Sequence, residues 1–214
     1  SDKSVTGNIT LLSNALVVLG THNLTMTGDV TGGSVTSHVI TNGSGKLFYN
    51  NVVALSRIFP IGANSTTINP VSIANGSGLN YGARVEIGIN PSIRFPIAAV
   101  NRTWIVRPSG NPVGAVNVNF FYNNTAGNAL FMYAPVTVEQ GFYTGVWNVI
   151  NTGLIQFGGP TNFQVTTTVS SFAANTDAPM VLGNIPAILQ AGNGLQLSAQ
   201  KQQERVLLSW TVLN

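Results

Sequence analysis

An all-β chain is what this sequence predicts: an Ig-like β-sandwich with a small N-terminal layer of short strands and extra strands at the C-terminal end. Three observations carry the expectation. Asn, Thr and Gly number 25, 21 and 23 among 214 residues. All three are weak helix formers, while Thr suits strands and Asn and Gly suit turns. Only 7% of residues are charged although 44% are apolar, so the chain can bury a core yet must rely on amides and hydroxyls for its polar surface. The apolar residues also fall in short segments of period two, cut by Gly, Pro and Asn.

Residues 1–45 hold the shortest segments: Ile9-Thr10-Leu11, Leu16-Val17-Val18, Leu24-Thr25-Met26, Val30, Val35 and Val39-Ile40. Turns such as Gly7-Asn8, Ser13-Asn14 and Gly32-Gly33 divide them. This spacing fits a short β-solenoid or a meander. Either one must stack on the longer strands of the neighbouring segment, because so small a unit is unstable alone.

Residues 46–180 carry the sandwich. The stretch IFPIGANSTTINPVSIA (58–74) reads as a strand ending at Phe59-Pro60-Ile61-Gly62, a polar loop, and a second strand from Asn69-Pro70-Val71. Pro60 and Pro70 withhold backbone donors at either end of the loop, and Gly62 permits the turn. Alternation marks further strands at Arg84–Ile89, Thr103–Arg107, Val116–Phe120, Val146–Val149 and Phe163–Val169, the pattern of a sandwich.

Residues 181–214 read as a connector followed by a terminal strand pair. Asn175-Thr176-Asp177-Ala178-Pro179, just before it, and Gly183-Asn184-Ile185-Pro186 within it interrupt any strand over 175–194. Leu195-Gln196-Leu197-Ser198-Ala199 and the run Arg205, Val206, Leu207, Leu208, Ser209, Trp210, Thr211, Val212, Leu213 then form two strong strands. Two strands cannot fold alone, and a long apolar edge invites pairing. The second strand is therefore the candidate for donation to a neighbouring subunit.

Phe59-Pro60-Ile61-Gly62, Asn69-Pro70-Val71, Arg102-Thr103-Trp104-Ile105-Val106 and Val169-Ser170-Ser171-Phe172 together resemble a module of large secreted surface proteins of Bacteroidetes. The tail from Leu195 to Trp210 resembles the opening strands of a fibronectin-III-like domain that often comes next in them. The resemblance implies export by the type IX secretion system, a place on the cell surface or outside the cell, and a role in adhesion or scaffolding. It names no ligand.

Reactive chemistry is sparse. His22 and His38 are the only histidines and cysteine is absent, so neither a metal centre nor a cofactor site is expected, and no enzymatic activity. Glu86 and Glu139 are the one carboxylate pair on strands, and Glu86 is expected to pair instead with Arg102 or Arg107. The nine basic residues, with a formal net charge of +3, are scattered, which argues against nucleic acid as a partner. No apolar run reaches the ~20 residues of a membrane span, and no basic-then-apolar leader follows Ser1. Two partner classes remain. Self-association into an oligomer or filament is the first; a glycan or cell-surface ligand, stacked on an exposed Phe142-Tyr143 pair, is the alternative.

Overall fold

The computed structural model describes residues 1–132, 137–157, 161, 163–185, 187–188, 195–202 and 205–212, the last two segments as backbone only. The N-terminal strands stack as a parallel β-solenoid. Its first rung is β1 (Lys3–Val5), β2 (Ile9–Thr10) and β3 (Leu16–Val18), and its second is β4 (Leu24–Met26), β5 (Val30–Thr31) and β6 (His38–Ile40). The third runs through β7 (Leu47–Val52), β8 (Arg57–Phe59) and β9 (Ile61–Gly62). Lys3 pairs with Leu24, Ile9 with Val30 and Leu16 with His38, all in parallel. β7 adds to β4 and β9 to β6 in the same sense. Of the two arrangements the sequence leaves open, the solenoid forms, since each parallel pair needs a long return that the other sides of the rung supply.

Asparagine does much of the stacking. The Asp2 carboxylate accepts the Asn23 backbone N–H at 2.9 Å, and Asn23 Oδ1 accepts the Lys46 N–H at 3.0 Å, one rung on. Asn8 Oδ1 accepts the Asp29 N–H at 2.9 Å in the same way. Corner amides that turn away from the ladder thus find a partner on the adjacent rung.

The sandwich grows directly out of the third rung. Its remaining strands are β10 (Val71–Ala74), β11 (Leu79–Ile87), β12 (Arg102–Pro108), β13 (Val116–Tyr122), β14 (Thr137–Tyr143), β15 (Trp147–Leu154), β16 (Gln156–Phe157), β17 (Phe163–Val169) and β18 (Ala178–Asn184). One sheet has the order β1-β4-β7-β11-β12-β18-β14-β15 and the other β16-β17-β13-β10-β8. β7 lies parallel to β4 on one side and antiparallel to β11 on the other. β8 leaves the solenoid to pair with β10, and Tyr49 Oη accepts the Val30 N–H that β8 would otherwise have met. A single core runs from Met26 and Val39 in the solenoid to Val118 and Val165 in the far sheet. The boundary expected after residue 45 falls between the second and third rungs, inside the solenoid and across this shared core.

The second expected boundary, after residue 180, falls inside a strand, β18. β18 is an interior strand between β12 and β14. Pro179 is tolerated because pairing with β14 reaches only as far as Met180, while pairing with β12 covers Ala178 to Met180. At Pro179 the strand has one neighbour and behaves as an edge, the one place a sheet admits proline.

Gly62 belongs to β9 rather than to a turn. A Cβ there would lie 2.1 Å from the Thr67 carbonyl oxygen and 2.7 Å from the ring of His38. His38 is fully buried, with Nδ1 3.0 Å from the Ser34 carbonyl and Nε2 2.7 Å from the Asn64 carbonyl. The glycine is needed for close approach, and Gly62→Ala should cost about 1–3 kcal/mol by overpacking. Urea denaturation checks this; an unchanged midpoint would contradict it.

Two buried tyrosines set an alkaline limit. Burial pushes the Tyr49 hydroxyl up to about 12, against the opposing bond from Val30, and burial alone pushes Tyr81 up to about 12. A folded-state value raised above the unfolded one gives stability that is complete below pH ~10 and lost as pH rises toward ~12. Melting temperatures should accordingly fall between those values, and Tyr49→Phe should flatten the fall.

Candidate functional site

The residues with chemical potential do not converge. His22 is exposed and lies 3.7 Å from Asp2, while His38 is enclosed within the solenoid. Glu86 pairs with Arg84 at 2.6 Å, not with Arg102 or Arg107. Arg107 lies 3.8 Å from Asp177. Arg102 is buried and donates Nε to Asn69 Oδ1 at 2.7 Å, and that burial holds its guanidinium below the ordinary value. Glu139 accepts the Ile188 N–H at 2.9 Å. Its strand β14 is three places from β11 in the sheet, about 14 Å at normal strand spacing, beyond either glycosidase separation. Among the described residues no three His, Cys, Asp or Glu side chains come together.

The exposed aromatic pair expected at Phe142-Tyr143 does not form. Phe142 is 3% exposed and packs edge-on against Phe172, with ring centroids 5.6 Å apart. Tyr143 is half-buried against Trp147 at 5.2 Å. Successive strand residues point to opposite faces, so neighbours in sequence cannot make one flat platform. The stacking surface expected for a glycan is absent at that pair.

Among the described residues, three features bear on assembly: two unpaired strand surfaces and an apolar groove. The first is the C-terminal hairpin of β19 (Leu195–Gln202) and β20 (Arg205–Val212), a two-stranded sheet of its own. Its register pairs Leu195 with Val212, Leu197 with Trp210, Ala199 with Leu208 and Lys201 with Val206. Directly paired residues share a face, so that face is apolar except at Lys201. The opposite face carries Gln196 with Thr211, Ser198 with Ser209, Gln200 with Leu207 and Gln202 with Arg205. Leu213, the last residue of the expected donor strand, lies outside the described residues.

The second is the outer edge of the first rung, with which no described strand pairs. The Lys3 N–H and the Val5 carbonyl bond to the second rung, so Ser4 between them turns its backbone groups outward. Ile9 and Leu11 bond inward likewise and leave Thr10 outward; Leu19 does the same for Val18. Val5, Ile9, Ala15 and Val17 pack on the core yet are only half-buried. The third is an apolar groove of about 340 Å³ between β5 and β8, walled by Val30, Ile58, Pro60, Ile68 and Pro70. Sequence reasoning finds the hairpin through its alternation. It misses the open rung and the groove, which exist only through what their neighbours do.

Comparison with protein-family models, with curated proteins and with solved structures returns no match.

Proposed function

We propose that this chain is a non-enzymatic structural or adhesive subunit of the cell surface, assembling head to tail by donating its C-terminal strands to a neighbour. The observation that carries the reading is the hairpin. β19 and β20 pair only with each other among the described strands, and their register gathers seven apolar positions on one face. An isolated hairpin is marginal in water, and an apolar face on it gains stability only when covered. A charged fraction of 7% favours the same reading, because desolvating few charges keeps extensive protein–protein contact inexpensive. Export by the type IX route and the extracellular location rest on the resemblance of the Phe59–Gly62, Arg102–Val106 and Leu195–Trp210 segments to secreted surface modules.

Deletion of residues 195–214 tests the assembly. The full chain should sediment as a concentration-dependent series of oligomers and give fibres in negative-stain micrographs. The truncated chain should remain a folded monomer under the same conditions. Persistent oligomers in the truncated chain, or a full chain monomeric at every concentration, would overturn the reading.

A further inference from the structure

We propose that the sandwich holds a small monovalent anion, of halide size, between its two sheets, bound by the guanidinium of Arg102 and the side-chain amide of Asn69. Strand donation is not needed for it. Its residues belong to Asn69-Pro70-Val71 and Arg102–Val106, two segments prominent in the sequence that strand donation leaves without a part.

Arg102 opens β12 and is 6% exposed, although arginine is almost never buried without a paired charge. Among the described residues no carboxylate lies within ion-pair distance of it. Glu86, on the neighbouring strand, faces the other way. Arg102 pairs directly with Ile87; directly paired residues share a face, and successive residues alternate between faces. Trp104, two places on from Arg102, meets Phe120 of the other sheet, so this face looks into the space between the sheets. Burial lowers the Arg102 guanidinium from its ordinary value, and no acid opposes that shift. Arginine nonetheless keeps its proton in proteins. The cation is therefore uncompensated, and a buried charge in that state is costly.

Asn69 stands two residues before β10, in the opposite sheet, and is fully buried. Its backbone N–H donates to the Ile61 carbonyl at 2.9 Å, and its carbonyl accepts from Trp104 Nε1 at 3.0 Å. Its Oδ1 accepts from Arg102 Nε at 2.7 Å. Nδ2, on the same planar amide, carries two N–H groups and meets no acceptor among the described residues. Arg102 Nη1 donates to the Asn101 carbonyl at 2.6 Å, and Nη2 has no acceptor among the described residues. One hydrogen-bonded pair thus carries two nitrogens with spare donors and a positive charge. Buried donors of this kind call for a bound water or ion. A water satisfies the donors but leaves the charge. A divalent oxyanion overcompensates a single guanidinium. A single-atom monovalent anion accepts from both nitrogens, neutralises Arg102 and ties β12 to the start of β10.

Crystals grown in sodium bromide should show an anomalous peak within hydrogen-bond reach of Arg102 and Asn69 Nδ2. At one protein concentration and equal ionic strength, the full chain should melt about 3 °C higher in sodium chloride than in sodium gluconate, whose anion is too bulky to enter. Asn69→Asp keeps Oδ1 as the acceptor for Arg102 and puts a carboxylate oxygen in place of Nδ2. It should fold as well as the native chain, bind no bromide at this pair and melt at the same temperature in both salts. Arg102→Met removes the cation and should also lose the difference between the salts; should it fold poorly, Asn69→Asp carries the test alone. Equal melting of the native chain in the two salts, or bromide found only at the surface, would overturn the proposal and leave a water at the pair. A chloride effect of unchanged size in Asn69→Asp would overturn it as well, by placing the responsive site elsewhere.

Discussion

Trp104→Ala should lower the unfolding free energy by about 4 kcal/mol, the middle of the range for emptying a buried aromatic site. Trp104 is fully buried on β12 and meets Phe120 of β13 across the sandwich, with ring centroids 5.1 Å apart. Its Nε1 donates to the Asn69 carbonyl at 3.0 Å. That carbonyl sits at the end of the polar loop, beside the Asn69 side chain that accepts from buried Arg102 at 2.7 Å. The substitution therefore removes apolar burial, an aromatic contact and a donor to a buried carbonyl at once. A domain of this size has about 5–15 kcal/mol in all, so the variant should be close to unfolding at 37 °C. Urea denaturation followed by near-ultraviolet circular dichroism measures it. Trp104→Phe, which keeps most of the burial, should lose less than half as much. A loss below about 1.5 kcal/mol for the alanine variant would mean that the two sheets do not depend on this contact.

Strands β13 and β17 are readable because their alternation follows burial on one face, whereas β12 is buried on both and is read from its apolar run. Trp104, Val106, Val116, Val118, Phe120, Val165 and Val169 are all at period-two positions, and all are buried. The solenoid is half-readable. Thr6-Gly7-Asn8-Ile9-Thr10 and Thr27-Gly28-Asp29-Val30-Thr31 recur at a spacing of 21 positions, the same separation that links Asn8 to Asp29. That echo favours stacked rungs over a meander, but rungs with two- and three-residue strands offer little periodicity to reveal it. β18 is hidden by Pro179, whose acceptability depends on where a neighbouring strand stops, a fact of pairing and not of composition. Phe142 is misread for a related reason, since adjacency in sequence says nothing about which face of β14 is covered. The hairpin is legible and the unpaired edge of the first rung is not. Alternation exposes a strand, whereas an unpaired edge is defined by the absence of a neighbour.

Removing residues 1–45 should abolish cooperative folding of the remainder, although the composition of the chain invites a cut there. Truncation strips β4 from β7 and β6 from β9, and it removes the buried Leu24, Met26, Val30, Val39 and Ile40. At about 1.5–3 kcal/mol for each fully buried aliphatic side chain, those five alone approach the whole stability of a domain. The residues left behind fare no better. Leu47, Tyr49, Phe59 and Ile61 are each 1% exposed or less and would lose one wall of their packing. The Val85 N–H, which donates to Thr41 Oγ1 at 3.0 Å, and the Val85 carbonyl, which accepts from the same hydroxyl at 3.1 Å, would both lose their partner in the middle of β11. Chain 46–214 should consequently accumulate as aggregate, or give a soluble form lacking near-ultraviolet signal and a sigmoidal transition. A soluble fragment with a sharp two-state melt would contradict the shared core. The same reasoning fixes the behaviour of the intact chain through residue 188. Because β7 is at once a solenoid rung and a sandwich strand, the two regions cannot unfold separately, and fluorescence and circular dichroism should trace one coincident transition.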